Sequence, residues 1–565
     1  MKKLFVFVVV FSLICFGGIP RVAGADRHPW EIYQVQLTAR TQYENPYTEG
    51  LPSDGPPLVQ ARFHGVSGEC AGLNYTVHGF WNGGRTWCIR FAPPAPGVWR
   101  YETTSPDPAL TRRTGRFSVL PWNEHQTQTN PTRRGFIRVH SNSPRAGRYF
   151  EYADGTPFLW IGDTWWNWTK REIRLESFRR LVDDRAEKGF TVGQLFVAGN
   201  GWSRSISLLD ETFTHPDIPQ LQRVDSMITY ANSRGITVWV HGWWTREDMN
   251  ERIGPENIRR WWRYLVDRLS AYNVMWVLAG EYNMYDYGGM GLEFWQDLGR
   301  RIEAEDPYQR VISAHPTPPG WAGGADAPQW STGEVLHGEP WLDYNQSQVG
   351  HGRWRNEMIP RVVASDYQRK PAKPVVVTEP WYEFIRGYAS AQDIRFGAWS
   401  AILSGAAGHS YGGGHVWKAH VPESPAGEDA WPMEMDFDTN TLDYPGAQSM
   451  GILSHFLSRI DWWSLEPHPE LVSEYPAPYC AAVPGREYLV YLRYGGTLKL
   501  SVQAAGKDRQ FTVQWLNPGT GDLSKGGTVT GGGIQTFTAP GGFPAHLDFQ
   551  DWVLFLRAAP APFGQ

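Results

Sequence analysis

Two glutamates close apolar runs. Glu281 ends NVMWVLAGE at 273–281, and Glu379 ends PVVVTE at 374–379. Hydrolysis of a glycosidic bond needs such a pair. One protonated carboxyl donates to the leaving oxygen, and one ionised carboxylate attacks the anomeric carbon or activates water. Glu281 follows an apolar run and an Ala-Gly pair, where desolvation raises a carboxyl pKa. It is therefore expected as the acid/base, with Glu379 as the nucleophile. Similar run-ends carry groups that hold hydroxyls or stack on sugar faces: Asp163, Trp165, Asn200, His241, Trp243, Asn283, His315, Tyr344, Trp381, Tyr382 and Tyr411. A carboxylate in such a place also caps helices or pairs with arginine. For Asp163, binding substrate and fixing the Trp165 loop are both open, and Glu383 and Glu339 are reserve acids.

These groups converge only if their runs are neighbouring strands. From about residue 134 the chain alternates strand-like and helix-like segments. The candidate strands are 158–162, 190–198, 236–242, 273–281, 310–315, 341–345, 374–379 and 408–413. Ile258, Trp261, Trp262, Leu265, Val266 and Leu269 recur at helical spacing, as do Leu221, Val224, Met227, Ile228 and Ala231. Ser390 with Asp393 reads as a capping box, and a last helix is expected within 444–462. Apolar strands alternating with amphipathic helices imply an α/β fold with a parallel, helix-covered sheet. Eight repeats favour a closed (β/α)8 TIM barrel over an open sheet. The barrel is expected over 134–465, with insertions near 316–340 and 418–443. Its active groups belong at the C-terminal ends of the strands, which sets Glu281 on strand four and Glu379 on strand seven, across one mouth.

The flanks read as β. Residues 26–121 hold short alternating runs broken by Gly and Pro, expected as an immunoglobulin-like sandwich that packs or binds sugar. Residues 466–565 are expected as a C-terminal β-sandwich, with 487–502 a hairpin turning at Gly495-Gly496 and 551–557 a closing strand. Residues 1–25 read as a secretory signal peptide: Lys2 and Lys3, the apolar run 4–16, then Ala23-Gly24-Ala25. Export to the periplasm or beyond is expected, and no other run is long and apolar enough to span a membrane. Cys15 would leave with the signal. Cys70 and Cys88 either pair or remain buried thiols, with Cys480 left over.

The 565 residues carry 53 basic and 58 acidic side chains, a net charge of −5, which argues against a nucleic-acid or anionic-membrane partner. The expected partner is an oligosaccharide or polysaccharide. The 29 tryptophans serve cores and sugar platforms alike. No HExxH, comparable His/Cys spacing, Walker A or GxGxxG motif occurs, so neither metal nor nucleotide cofactor is expected. Ser410 in GHSYG matches G-x-S-x-G, but a nucleophile elbow needs a helix after the serine, and Gly413-Gly414 follow. A non-catalytic carbohydrate-binding protein is the other rival; it would use the same rim without needing two carboxylates.

Residues 149–168 (YFEYADGTPFLWIGDTWWNW), 273–283, 375–383 and 396–414 resemble the apiosidase-like glycoside hydrolases, family 140, over about 134–465. The N-terminal segment resembles the DUF5060-type β-domain that often precedes such barrels. The C-terminal one, with DWWSLEP at 461–467 and WLNPGTG at 515–521, resembles the family's collagen-binding-type β-domain. The resemblance implies a retaining, exo-acting hydrolase of plant cell-wall glycans, with its acids at Glu281 and Glu379. The residues alone leave retention or inversion open. The family usually reads Gly-Asp where this chain has Gly280-Glu281, and the added methylene carries the carboxyl about 1 Å or more further into the cleft.

Overall fold

The computed structural model describes residues 27–47, 57–200, 205–210, 214–318, 330–385, 389–424, 439–541 and 550–559. The proposed signal segment lies outside them. Eight parallel strands form the central sheet: one, Trp160–Trp165; two, Val192–Phe196; three, Thr237–His241; four, Val274–Val277; five, Ile312–Ser313; six, Asn345–Gln348; seven, Val375–Glu379; eight, Gly408–Tyr411. Neighbours pair in the order five-four-three-two-one-eight-seven-six, so the ladder runs from strand five round to strand six. Side-chain bonds stitch the remaining seam. Ile312 N donates to Asp343 Oδ2 at 2.8 Å, and Ser313 Oγ donates to the Tyr344 carbonyl at 2.8 Å. The result is a nearly closed TIM barrel.

Amphipathic helices cover it, as the spacing predicts. Leu221, Val224, Met227, Ile228 and Ala231 are the buried face of Ile218–Ser233, and Ile258 to Leu269 that of Pro255–Leu269. The Ser390–Asp393 capping box opens helix Ala391–Leu403, and Pro445–Leu457 is the last barrel helix. Strand six is the one displaced element. The run 341–345 was the expected strand, but the ladder begins only at Asn345, so Gln348 rather than Tyr344 reaches the mouth. Tyr344 instead plugs the barrel: its hydroxyl accepts from Trp239 Nε1 at 2.6 Å, and its ring lies 5.7 Å from Trp160. Three large rings fill this layer because the barrel interior is a packed core, not a pore.

The N-terminal strands run from Tyr33–Thr38 to Thr114–Val119 in one bent six-stranded sheet. Strand Asn74–Trp81 pairs with Gln60–Ser67 through its first half and Thr86–Phe91 through its second. The fold-over lets Phe63 stack on Phe91 at 4.1 Å. Arg90 ties this sheet to the barrel through Asp225, at 2.6 Å. Cys70 and Cys88 are both free, buried thiols; Cys70 lies beyond one half of the bent sheet and donates to the Ser67 carbonyl, while Cys88 is on a strand of the other.

The C-terminal strands form two layers, one of six strands and one of three. The expected hairpin at Gly495-Gly496 is instead a crossover: Glu487–Leu492 belongs to the larger sheet and Thr497–Ser501 to the smaller. Burial explains it. Glu487–Leu492 is buried at every position because barrel helix Ala391–Leu403 covers its second face, with Trp399 stacked on Tyr491 at 6.3 Å. Strand Trp552–Ala558 runs beside it, and Asp551 binds Arg395 of that helix through both oxygens.

Candidate active site

The ends of strands four to seven converge. Beyond strand four the chain runs through Gly280 to Glu281, whose φ of 49° is left-handed. Such a conformation costs a glutamate about 1–3 kcal/mol and persists only where surrounding contacts dictate it. The contacts are present: Tyr282 N donates to the His315 carbonyl at 2.9 Å, and Gly280 N to that of Trp243 at 2.9 Å. Gly280 is needed for a second reason, because a Cβ there would lie 2.1 Å from the Trp244 ring.

Gln348, at the end of strand six, donates from Nε2 to Glu281 Oε1 at 3.2 Å. Glu379 ends strand seven, and each of its oxygens meets an imidazole. His315 Nε2 lies 3.0 Å from Oε2, and His351 Nε2 lies 3.4 Å from Oε1. His315 is itself braced, with Nδ1 3.2 Å from Gln346 Oε1 and 3.3 Å from Thr378 Oγ1.

These surroundings drive the two carboxyls apart. Burial pushes Glu281 up, the Glu379 charge adds to it, and the Gln348 amide opposes weakly, leaving Glu281 at about 8. Burial also pushes Glu379 up, but the hydrogen bonds and charge of His315 and His351 outweigh it and bring Glu379 down to about 2. Near neutral pH the mouth therefore holds one protonated acid and one carboxylate, the complementary pair that glycosidic cleavage uses.

Aromatic rings and a neutral imidazole pack around the two carboxyls. Trp166 lies 4.6 Å from His241 and 6.1 Å from His315, and its Nε1 donates to the Tyr382 hydroxyl at 3.2 Å. Tyr382 stands beside Glu379, its phenol raised by burial and then by that charge. Half-buried Trp244 lies 6.2 Å from His241. Burial, then neighbouring His315, keeps His241 neutral, and among the described residues neither of its ring nitrogens finds a hydrogen-bond partner.

Glu281, Glu379, His315, His241 and Tyr382 are thus together. Other expected sugar contacts are placed elsewhere. Asp163 is fully buried, ion-paired with Arg185 at 2.7 Å and accepting from Trp165 Nε1 at 2.8 Å; both Asp163 and Trp165 belong to the core. Trp243 is buried and bonded to Asn250, Trp381 donates to the Ile385 carbonyl, and Tyr411 donates to Glu383. Asp163, Trp165 and Tyr411 alternate with inward-facing neighbours such as Ser410 and so face the helix layer. Trp243 and Trp381 lie beyond the ends of their strands and are turned away by the loops that follow. Asn200 braces Trp244 through two backbone bonds, and Asn283 accepts from Thr317 N, so both shape loops.

The reserve acids have structural work. Glu383 accepts from Gly446 N at the start of Pro445–Leu457, and Glu339 binds Gln296 and Arg300. Ser410 Oγ accepts from Trp160 Nε1 inside the barrel and heads no helix, so it is not a nucleophile elbow. Sequence reasoning missed Gln348, His351, Trp166 and Trp244. Trp166 and Trp244 each stood one position beyond a residue that was singled out. Among the described residues, no group of three or more His, Cys, Asp or Glu is placed to hold a metal ion, and no helix is long and apolar enough to cross a membrane.

The family described as "Apiosidase-like, catalytic domain" matches residues 144–464, more than half of the chain. Residues 26–106 match a domain of unknown function, DUF5060, and 471–557 match a "Putative collagen-binding domain of a collagenase". A glycoside hydrolase family 5 structure from Bacteroides vulgatus is similar with a TM-score of 0.65 at 20% identity, covering 76% of this chain and 95% of that one. A second structure from that bacterium, a "putative glycoside hydrolase", reaches 0.68 at 18% identity over 95% and 100% of the two chains. At these identities the likeness is one of fold. No curated protein matches the sequence.

Proposed function

The chain belongs to the apiosidase-like glycosidases, and we propose that within them it is a retaining, exo-acting enzyme on side chains of plant cell-wall glycans. Glu281 is the acid/base and Glu379 the nucleophile. The observation that carries this reading is the opposite bias of the two carboxyls, about 8 against about 2, within one mouth.

In the first step a Glu379 oxygen bonds to the anomeric carbon as the glycosidic C–O bond breaks. The Glu281 proton passes to the leaving oxygen. Water then attacks the glycosyl ester, giving its proton back to Glu281 and releasing Glu379 as carboxylate. His315 and His351 favour that departure because they stabilise the carboxylate. Retention is what the family resemblance implies, and the charge coupling of Glu281 with Glu379 is compatible with it. Export rests on the sequence of residues 1–25.

The test is a panel of aryl glycosides and cell-wall oligosaccharides, with the anomeric configuration of the first-formed sugar followed by NMR. Release of a terminal sugar with retained configuration is expected. Release with inversion would reassign Glu379 as a general base, and cleavage within the chain would remove the exo reading.

A further inference from the structure

Among the described residues only two aromatic side chains are largely exposed, Trp354 at 60% and Tyr285 at 52%. The other large apolar side chains exposed to a comparable degree are Val66, Leu73, Leu120, Leu523 and Ile534, all in the flanking β-regions. Scattered exposed aliphatics are ordinary for any folded chain. On the barrel, both exposed rings fall on the connections that follow the C-terminal ends of strands, Tyr285 in the short segment Met284–Gly288 after strand four and Trp354 in the single turn Arg353–Asn356 after strand six. A barrel that buries nearly every ring and bares two at its mouth is using them there.

Trp354 is held in place. The Arg355 guanidinium lies 5.0 Å over its ring, and Trp330 meets it edge-on at 6.1 Å. A guanidinium stacked on one face leaves the other for a ligand. The same loop begins at both reacting groups, since Gln348 binds Glu281 and His351 contacts Glu379. Trp354 stands three positions beyond His351, a reach of at most about 11 Å. The exposed ring therefore stands close to the Glu379 side of the mouth.

We propose that Trp354 is the platform on which a sugar residue of the leaving-group glycan stacks, with Tyr285 as a second, outer contact. This rests on the exo reading above, in which the cleaved sugar is the terminal one held at Glu281 and Glu379 and the leaving glycan extends outward past the rim. The flat face of an indole matches the C–H face of a pyranose, and such contacts favour an oligosaccharide over a small leaving group.

The test compares Trp354→Ala and Trp354→Phe with the wild type on two probes: a pectic oligosaccharide that is cleaved, and the fluoride of the sugar it releases. Fluoride offers nothing to stack. Trp354→Ala should lose about ten-fold in kcat/KM on the oligosaccharide, mostly through KM, and less than about two-fold on the fluoride. Trp354→Phe should recover much of the loss, and melting temperatures should agree because the ring is exposed. An equal loss on both probes, or none on either, overturns the platform. If the wild type cleaves no probe, the proposed function fails separately. Retardation in pectin-containing gels then decides: Glu379→Gln slowed more than the Glu379→Gln/Trp354→Ala double variant supports the platform, and equal mobility overturns it.

Discussion

Gln348 donates its side-chain amide to Glu281 from the position in strand six that pairs directly with Glu379 in strand seven. One residue thus sets Glu281 against Glu379. Adjacent strands lie about 4.8 Å apart, so a shift in the register of strand six would move the partner of Glu281 relative to Glu379.

Glu281→Gln and Glu379→Gln should each lower kcat by roughly a thousand-fold or more on unactivated substrates while melting as cooperatively as the wild type. With an aryl glycoside bearing a good leaving group, Glu281→Gln should keep its first step and accumulate glycosyl-enzyme, visible as a burst. A burst in Glu379→Gln instead would reverse the two roles.

The kcat/KM profile of the wild type should fall as pH rises through about 8, where Glu281 loses its proton. Its acid limb should lie near pH 2, set by Glu379. His351→Ala removes part of what holds Glu379 ionised, so the acid limb should move upward towards the ordinary glutamate range. An unmoved acid limb would separate His351 from the nucleophile.

Folding stability should respond in the opposite sense at the two acids. Glu281 has a raised pKa in the folded state, so its favourable contribution is complete below the unfolded value and is lost as pH rises from about 4.5 to about 8, with a limiting slope of about 1.4 kcal/mol per pH unit. Glu281→Gln should therefore gain stability relative to the wild type across that window. Denaturant titrations at pH 5 and pH 8 read the difference, and a gap that does not widen would contradict the buried, protonated acid. Glu379 is depressed, so its contribution should fade only as pH drops from about 4.5 towards 2.

Asp163→Ala should behave as a core lesion. The Asp163–Arg185 pair has no solvent exposure on either side chain, and removing one partner of such a pair costs about 3–5 kcal/mol. The expected signature is a lowered denaturation midpoint with KM near the wild-type value in the folded fraction. A large KM change at unaltered stability would restore Asp163 to the sugar site.

Much of this was legible in the sequence. Apolar strands, helix faces and the Ser390 cap are local patterns, because each records which side of one element meets the core. The position of Glu379 at the end of strand seven, and of Glu281 a few residues beyond strand four, follows from the same periodicity. Single-residue phase was harder: Trp243 is buried while Trp244 lines the pit, and Trp165 is core while Trp166 is wall. A rim residue one step out of phase faces the helix layer, and loop turns after each strand set that phase.

What the sequence determined by itself was the alternation of elements and the placing of Glu281 just beyond strand four and Glu379 at the end of strand seven. Tertiary structure decided the rest. It began strand six four residues later than its apolar run and so put Gln348 beside Glu281. It also brought His351 to Glu379 from a loop with no periodic signal, and split Glu487–Leu492 from Thr497–Ser501 between two sheets. The physical reason is range. Periodicity records burial along one element, whereas pairing register, desolvation and charge coupling depend on which distant elements come to lie beside it.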